Sequence, residues 1–264
     1  MDYQGYGICR LSTVPIRKTP ADSAEMISML LFGEHYRVLE WSDDRKWCLI
    51  QNGYDQYEGW VDIKQHTEIS SEYFDQINNS EYKIATDLFS RILYKRQVIY
   101  VPLGSVLPLL NNPLFQMEEQ LAFNGEAKSL HQKWTADLMI VVAKKYLNAP
   151  YLWGGRSPFG IDCSGFTQVV MRVAGYKLPR DSKDQILQGK EISLDEAQQG
   201  DLAFFTNAQG KMNHVGIVLK DGEIIHASGK VRIDTLDKEG IFNNENKTYT
   251  HRLFKVKRIL RDLS

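Results

Sequence analysis

The sequence has few cysteines and no block of like charge. Its 264 residues include 3 cysteines, an odd number without a CxxC pair, which argues against a disulfide framework and against a zinc knuckle. The formal net charge is -1, and no long run of one sign occurs. We therefore expect neither a nucleic-acid partner nor binding to an anionic membrane surface.

Signals for export or membrane insertion are also missing. The first residues, MDYQGYGICRLSTVP, lack a basic start followed by an apolar run. The chain as given therefore predicts neither a signal peptide nor a membrane span. We expect a cytoplasmic protein, or a periplasmic or exported one if a signal was removed beforehand. The sequence favours no particular oligomeric state.

Short β-strands are predicted in the first part of the chain. The segments YGICRLS, HYRVLEW, WCLIQ and YEGWVDI are rich in Val, Ile, Tyr and Trp, and polar turns such as SDDRK separate them. This pattern predicts a small β-barrel over residues 1–66. Residues 67–125, with KIATDLFSRILYKRQVIYVPLGSVLPLL, form either a second, diverged barrel or a long linker with a helix.

Residues 126–264 change to helices followed by strands. WTADLMIVVAKKYLN predicts a helix capped by Thr135, and CSGFTQVVMRVAGY predicts a second helix that ends at Gly175. DSKDQILQG predicts a short third helix. The strands DLAFFT, HVGIVLK, EIIHAS and YTHRLFKVKRIL follow, which makes an α+β domain. The expected buried faces are Leu138, Val141, Val142 and Leu147 on the first helix, and Phe166, Val169, Val170 and Val173 on the second.

Cys163 lies at the first turn of the second predicted helix. Unpaired backbone N–H groups at a helix N-terminus favour negative charge, so we expect a lowered thiol pKa and a site that stabilises an oxyanion. Gly165 leaves room for a substrate backbone. The simpler interpretation is a structural cysteine at a helix start.

A nucleophilic cysteine needs a base, and two of the 6 histidines lie on neighbouring predicted strands. His214 precedes the hairpin turn signal KDG, and His226 follows it. Either residue alone is more simply interpreted as a buried or surface histidine with an ordinary hydrogen bond. As a pair, they are candidates for the base and its orienting partner.

The length of the turn decides whether these two histidines share a face of the sheet. A two-residue loop of Asp221 and Gly222 would place the second histidine opposite Ile217, and the first would point to the other side. A three-residue loop with Gly222 in the left-handed conformation, or another odd loop or a bulge, would place His226 opposite Gly216. His214 and His226 would then share a face. We favour this register because the other face would then be apolar, with Val215, Ile217, Leu219 and Ile224.

The motifs DCSGF, GDLAFF, NHVGIVL and IIHAS, in this order, resemble the NlpC-type cell-wall cysteine peptidases, a branch of the papain-like fold. The resemblance covers about residues 134–264. It implies that Cys163 attacks, His214 takes its proton, and His226 orients His214. It also implies that the hydroxyl of Tyr151 helps to stabilise the oxyanion. We expect no cofactor and no metal requirement.

The first 66 residues resemble bacterial SH3-like domains, with Gly-Glu before a strand and a closing Gly-Trp-Val. The expected fold is therefore α+β: a papain-like, NlpC-type catalytic domain preceded by one or two small SH3-like β-barrels. The domain boundaries expected from the sequence are 1–66, 67–125 and 126–264.

The elements YLWGG, DCSG and PRDS resemble one subgroup, enzymes that cut γ-D-glutamyl-diamino acid bonds in peptidoglycan peptides. The resemblance implies that Asp162 pairs with the free amine of an N-terminal L-Ala, and that Ser164 and Ser182 hold the D-Glu carboxylate. Trp153 and Asp181 would shape the pocket. The simpler alternatives are that Asp181 and Ser182 cap a helix and that Trp153 belongs to the core.

In the same subgroup, an acid and a tyrosine of the first SH3-like domain also line the site. Glu34 and Tyr57 are the candidates for these positions here, and ordinary barrel residues are the alternative.

These features predict a cysteine endopeptidase acting on the γ-D-glutamyl-diamino acid bond of peptidoglycan-derived peptides with a free N-terminal L-Ala, as in muropeptide turnover and recycling. Two alternatives stay open: an inactive module that binds cell-wall peptides, and another thiol amidase or acyltransferase on the same fold. The intact Cys163, His214 and His226 argue against the first alternative. The YLWGG and PRDS elements favour the peptidase.

Overall fold

Residues 4–107, 121–207 and 209–260 are described by the computed structural model, in which the chain forms two units. The first unit contains the described residues up to Gln132 together with Trp153–Pro158. The second contains Lys133–Leu152 and the residues from Phe159 onward. None of the described helices is long and apolar enough to cross a membrane.

The first unit begins with a seven-stranded antiparallel sheet, in the order β3-β2-β6-β5-β4-β1-β7. Alternating strand residues, together with Cys9 from the loop after β1, bury an apolar core, to which Val14, Tyr36, Ile50 and Val61 belong. The strands are β1 (Gly5–Ile8), β2 (Thr13–Arg17), β3 (Met26–Leu31), β4 (His35–Trp41), β5 (Trp47–Asn52), β6 (Glu58–Asp62) and β7 (Thr67–Ile69), with a 3-10 turn at Ile63–Gln65.

A helix and six further strands follow in the first unit. The helix α1 (Ser71–Asn79) begins where the Ser70 side chain accepts the N–H of Tyr73. The strands form two three-stranded sheets, β10-β9-β12 and β11-β8-β13, over a core with Ala85, Ile92 and Val101. Their bounds are β8 (Lys83–Ala85), β9 (Phe89–Tyr94), β10 (Gln97–Pro102), β11 (Val106–Leu107), β12 (Leu121–Asn124) and β13 (Ala127–Ser129).

For residues 67–125 the alternatives were a second, diverged barrel and a long linker with a helix. The described residues of this segment form a helix followed by a β-rich part. Its last strand, β13, lies beyond residue 125 and pairs with β8. The predicted strand residues 108–110 lie outside the described residues. The predicted boundaries at residues 66 and 125 stay predictions.

The second unit contains the three predicted helices: α2 (Ala136–Lys145), α3 (Cys163–Val173) and α4 (Ser182–Gln185). The four apolar residues predicted on α3 are buried, as is every other residue of this helix. Of the four apolar residues predicted for α2, Val142 is buried, and the prediction was wrong for Leu138, Val141 and Leu147, which are exposed. Burial instead follows a different i, i+3, i+4, i+7 series on this helix and the residue after it: Met139, Val142, Ala143 and Tyr146.

The strands of the second unit close into a ring. The order β16-β22-β17-β18-β19-β20-β21 includes a further pairing of β22 with β21, so β17 to β22 form a closed six-stranded barrel. The bounds are β16 (Lys190–Ile192), β17 (Leu202–Thr206), β18 (Met212–Val218), β19 (Glu223–Ser228), β20 (Lys230–Leu236), β21 (Gly240–Asn243) and β22 (Thr248–Arg258), with a 3-10 turn at Leu194–Glu196. Two short strands, β14 (Arg156–Ser157) and β15 (Gly160–Ile161), precede α3.

Candidate active site

Cys163 is the first residue of α3, and Asp162 is its N-cap. The backbone of Asp162 has the extended conformation of a cap residue, and its side chain accepts the N–H of Gly165 at 2.7 Å. This bond satisfies one of the free N–H groups at the helix start and fixes the direction in which the thiol leaves the helix. Cys163 is buried.

The expected lowering of the thiol pKa was wrong. Burial and the nearby carboxylate of Asp162 raise the pKa of Cys163 to about 12, although the backbone N–H groups of Val215 and Ser164 and the charge of Arg180 act in the opposite direction. The prediction considered the helix N-terminus alone, and tertiary burial outweighs it. The resting thiol is therefore protonated, and nucleophilic attack requires a base.

A buried network surrounds the start of α3. Arg180 donates to both carboxylate oxygens of Asp162, at 2.6 and 3.0 Å, and to Oγ of Ser164 at 2.9 Å. Gln185 donates to the Ser164 carbonyl at 2.9 Å and accepts from Thr167 at 2.8 Å. The carboxylate that the sequence assigned to a substrate amine therefore already has a cationic partner.

The hairpin that carries the two histidines has the predicted register. His226 pairs with Gly216, and the predicted bulge occurs at Lys220. Leu219 N–H donates to the carbonyl of Glu223, whose own N–H donates to the Lys220 carbonyl. Both Asp221 and Gly222 are left-handed, with φ of 59° and 70°, whereas the left-handed conformation was expected at Gly222. One detail was wrong: Ile224 pairs with Val218 and so lies on the face of the histidines.

The two histidines form a hydrogen-bonded pair. Nε2 of His214 lies 2.9 Å from Nδ1 of His226, and both side chains are buried. Burial, followed by the neighbouring His226 and His251, lowers the pKa of His214 well below its ordinary value. His214 is therefore neutral at physiological pH and has a nitrogen free to accept a proton.

His251 is a third histidine at this position, and sequence reasoning did not identify it. Its ring stacks on His214, with centroids 4.1 Å apart and planes at 25°. Burial and then the proximity of His226 lower its pKa to about 4, although Asp234 acts in the opposite direction. The residue comes from β22, and no local pattern connects it with the hairpin.

Asp234 and Arg232 lie behind His226 and were also missed. Oδ2 of Asp234 lies 3.1 Å from Nε2 of His226, and Arg232 donates to both carboxylate oxygens, at 2.7 and 3.0 Å. Both residues lie on β20, the strand that pairs with β19. The only signal in the sequence was an acidic residue, Asp234, on the strand after His226, and no motif connected the two.

Tyr151 is half-exposed and lies near the thiol. Burial, followed by the proximity of Cys163 and Asp162, raises the pKa of Tyr151 to about 12, against the effect of Arg180. Its phenol therefore remains protonated and is able to donate a hydrogen bond. This property is the one that the predicted oxyanion role requires.

Asp181 and Ser182 lie at the start of α4. Asp181 occupies the N-cap position, but its side chain makes no capping hydrogen bond, and it forms an ion pair with Lys183 at 3.6 Å. Ser182 is the first helical residue. The simpler alternative, in which the Asp181 side chain caps the helix, is therefore wrong. The predicted substrate roles of both residues stay predictions.

Trp153, Glu34 and Tyr57 belong to the first unit. Trp153 is exposed, so it is not a core residue, and its Nε1 donates to Glu25 at 2.8 Å. Glu34 is buried, and both its carboxylate oxygens accept from Arg156, at 2.9 and 3.0 Å. Tyr57 is half-buried beside β6. Their predicted roles in substrate binding stay predictions.

The arrangement of the second unit supports acyl transfer through a thiol. It provides a nucleophile at a helix start, a neutral base with an ordered partner, and a phenol as hydrogen-bond donor. Within residues 4–107, 121–207 and 209–260, no group of three or more His, Cys, Asp or Glu side chains is placed to hold a metal ion.

Two segments of the chain match known protein families. Residues 148–254 match the NlpC/P60 family, and residues 16–65 match the bacterial dipeptidyl-peptidase Sh3 domain. A relative from Bacillus subtilis, a gamma-D-glutamyl-L-lysine dipeptidyl-peptidase, is 43% identical over 153 residues, which are 53% of this chain and 51% of the relative. A protein of the same name from Bacillus cereus is 32% identical over 65% of this chain and 56% of its own length.

The chain thus spans about half the length of the curated relatives that it matches. The crystal structure of an NlpC/P60 family protein from Bacillus cereus superposes with a TM-score of 0.81, over 97% of this chain and 100% of that chain, at 21% identity. This similarity shows that the folds are the same. The expected papain-like fold with an SH3-like domain before it is therefore confirmed.

Proposed function

We propose that the chain is a cysteine peptidase of the NlpC/P60 type that hydrolyses the γ-D-glutamyl-diamino acid bond of peptidoglycan-derived peptides, a proposal supported by the two family matches. The observation that carries this proposal is the buried pair His214–His226 on the strands beside the cysteine helix α3. An inactive binding module does not account for a neutral base held by a second buried histidine.

The proposed reaction has two halves. The His214 imidazole takes the proton of Cys163 as sulfur attacks the carbonyl carbon, and then gives that proton to the leaving amine as the C–N bond breaks. The product of this half is a thioester. Water then attacks the thioester carbon, its proton passes through His214 to the sulfur, and the C–S bond breaks. In this proposal Tyr151 donates a hydrogen bond to the developing oxyanion.

The substrate class is supported by the names of the two Bacillus relatives and by the polar network at the start of α3. A peptide with a free N-terminal L-Ala and a D-Glu carboxylate carries one positive and one negative group. Asp162 carries a negative charge, and Arg180 a positive one. We propose that Asp162 binds the amine and that Ser164 and Ser182 bind the carboxylate, with Asp181 as a further contact.

The experiment is hydrolysis of L-Ala-γ-D-Glu-L-Lys and of its meso-diaminopimelate counterpart, with products identified by mass spectrometry. Cys163→Ala is expected to lose several orders of magnitude in kcat while keeping its circular dichroism spectrum. Cys9→Ala, the same substitution at a buried cysteine of the first unit, is the matched control and is expected to remain active. More than a tenth of wild-type activity in Cys163→Ala would reject the assignment.

The cytoplasmic location expected from the sequence also stays a proposal. Fractionation of the source cells with an antibody against the chain would test it, and recovery in the exported fraction would contradict it.

A further inference from the structure

We propose that Asp234 and Arg232 are positioning residues that decide which nitrogen of His214 is free to accept the thiol proton. They extend the His214–His226 pair into a relay of four side chains. The inference rests on the proposed function, because it assigns a role in the same reaction.

The relay is continuous, and His214, His226 and Asp234 are buried. Nε2 of His214 lies 2.9 Å from Nδ1 of His226, and Nε2 of His226 lies 3.1 Å from Oδ2 of Asp234. Asp234 is fully buried, and its Oδ1 also accepts the N–H of Asn244 at 2.9 Å. Arg232 closes the relay with its two bonds to the carboxylate.

The protonation state of Asp234 determines the tautomers of both histidines. Burial acts to raise its pKa, but hydrogen bonds from His226, Arg232 and a backbone N–H lower the pKa to about 2. An ionised carboxylate only accepts hydrogen bonds, so Nε2 of His226 carries the proton. Nδ1 of neutral His226 then accepts, Nε2 of His214 donates, and Nδ1 of His214 is left free as the base.

Arg232 offsets the charge of the carboxylate that contacts His226. A buried carboxylate beside an imidazole favours the imidazolium, and both nitrogens of an imidazolium are donors. Nε2 of His214 would then have to accept, and its Nδ1 would carry a proton. The bidentate guanidinium offsets the charge of Asp234, and the proton of His214 therefore stays on Nε2 and leaves Nδ1 free.

The other groups around His226 do not replace this function. His214 and His251 face it from β18 and β22, with ring centroids at 5.1 and 6.0 Å, and neither carries a negative charge. Glu245 contacts Arg232 at 3.1 Å from the exposed side. Asp234 is therefore the only carboxylate that contacts His226 among the described residues.

The first test is Asp234→Asn in the full chain. The amide oxygen at the Oδ1 position keeps the bonds from Arg232 Nη2 and the Asn244 N–H. The amide N–H₂ then takes the Oδ2 position, at the loss of the bond from Arg232 Nε, and donates to Nε2 of His226, which reverses both tautomers. We expect kcat/KM to fall about 10²–10⁴-fold, as when the acid of a catalytic triad becomes an amide. Asp137→Asn, the same substitution at an exposed residue of α2 that pairs with Lys220, is the matched control.

The second test is Arg232→Gln, which keeps a donor but removes the charge. The uncompensated carboxylate favours the protonated, inactive form of His226, so activity appears only at higher pH. We expect the acid limb of the kcat/KM profile to move upward by roughly one pH unit. A residue with a structural role alone would lower the amplitude of the profile without moving it.

A substrate-independent measurement separates this inference from the proposed function. The rate of alkylation of Cys163 by iodoacetamide, followed by peptide mass spectrometry against pH, reports how readily His214 accepts the thiol proton. Slower alkylation in Asp234→Asn and a shifted limb in Arg232→Gln support the relay even if no peptide is cut. Folded variants with wild-type rates and an unmoved limb would overturn it, whatever Cys163→Ala shows. If Asp234→Asn fails to fold, the limb in Arg232→Gln decides alone.

Discussion

Replacing Glu34 by alanine leaves the guanidinium of Arg156 buried without its carboxylate. Both side chains are almost completely inaccessible to solvent, at 1% and 0% exposure. Glu34 also accepts the N–H of Leu31 at 2.9 Å, and Arg156 donates to the Met29 carbonyl at 2.7 Å. The pair is therefore part of the packing of the first unit, independently of any role in substrate binding.

The expected cost follows from these contacts. Removing one partner of a buried ion pair costs about 3–5 kcal/mol, because the remaining charge stays desolvated. Replacing both partners with apolar residues of similar size is often nearly neutral. We therefore expect Glu34→Ala to lower the unfolding free energy by about 3–5 kcal/mol. Glu34→Leu with Arg156→Met should cost about 2 kcal/mol, because the Leu31 N–H and the Met29 carbonyl lose their side-chain partners.

Denaturant unfolding followed by tryptophan fluorescence is the appropriate assay. Four of the 5 tryptophans lie in the first unit, and only Trp134 lies in the second. Glu58→Ala, at an exposed glutamate of the same unit that bonds Gln51, is the control and should stay within about 0.5 kcal/mol of wild type. A loss below about 1 kcal/mol for Glu34→Ala, or a double variant as unstable as the two single ones added together, would refute the reasoning.

Two further predictions concern the second unit. His251→Phe keeps a flat ring on His214 and should retain activity, with an unchanged pH–rate profile between about pH 5 and 8, because His251 titrates only near pH 4. His251→Ala removes the ring and should lower kcat roughly tenfold. Equal rates for the two variants would show that stacking is unimportant. The lowered pKa of Asp234 stabilises the fold above the ordinary value of 3.8, and this contribution is lost as pH falls toward 2. Asp234→Asn should therefore show a smaller loss of stability in acid unfolding than wild type, and an identical loss would contradict the assignment.

The parts of the site that follow from short-range periodicity were predictable. The face of α3 was read from residues spaced as a helix requires, and the hairpin register from alternating apolar residues on either side of a turn. In both cases, neighbours in sequence decide which side chains share a face. The face of α2 failed by the same method, because Leu138 and Val141 are as apolar as the residues that are buried, and only the tertiary neighbours distinguish them.

The residues that tune the site were not predictable, because they come from outside the motifs. His251 reaches His214 only because β22 pairs with β17 and β21, and strand pairing over that separation leaves no local signal. Asp234 reaches His226 because β20 pairs with β19 in a register that neither strand indicates alone. The raised pKa of Cys163 has the same origin. The helix start was visible in the sequence, but the burial that outweighs its effect was not.

Asp162 illustrates how a partner outside the motif changes a quantitative expectation. If its carboxylate were unpaired, blocking the amine of the substrate would strand a buried charge, and discrimination of about 10⁴-fold would follow. Arg180 already holds both oxygens, so an N-acetylated peptide leaves Asp162 paired and loses only the attraction of its own ammonium. We therefore expect kcat/KM for L-Ala-γ-D-Glu-L-Lys to exceed that of the N-acetylated peptide by only about ten- to a hundredfold. Equal values would show that Asp162 does not bind the amine, and a ratio near 10⁴ would show that Arg180 leaves the carboxylate when substrate binds.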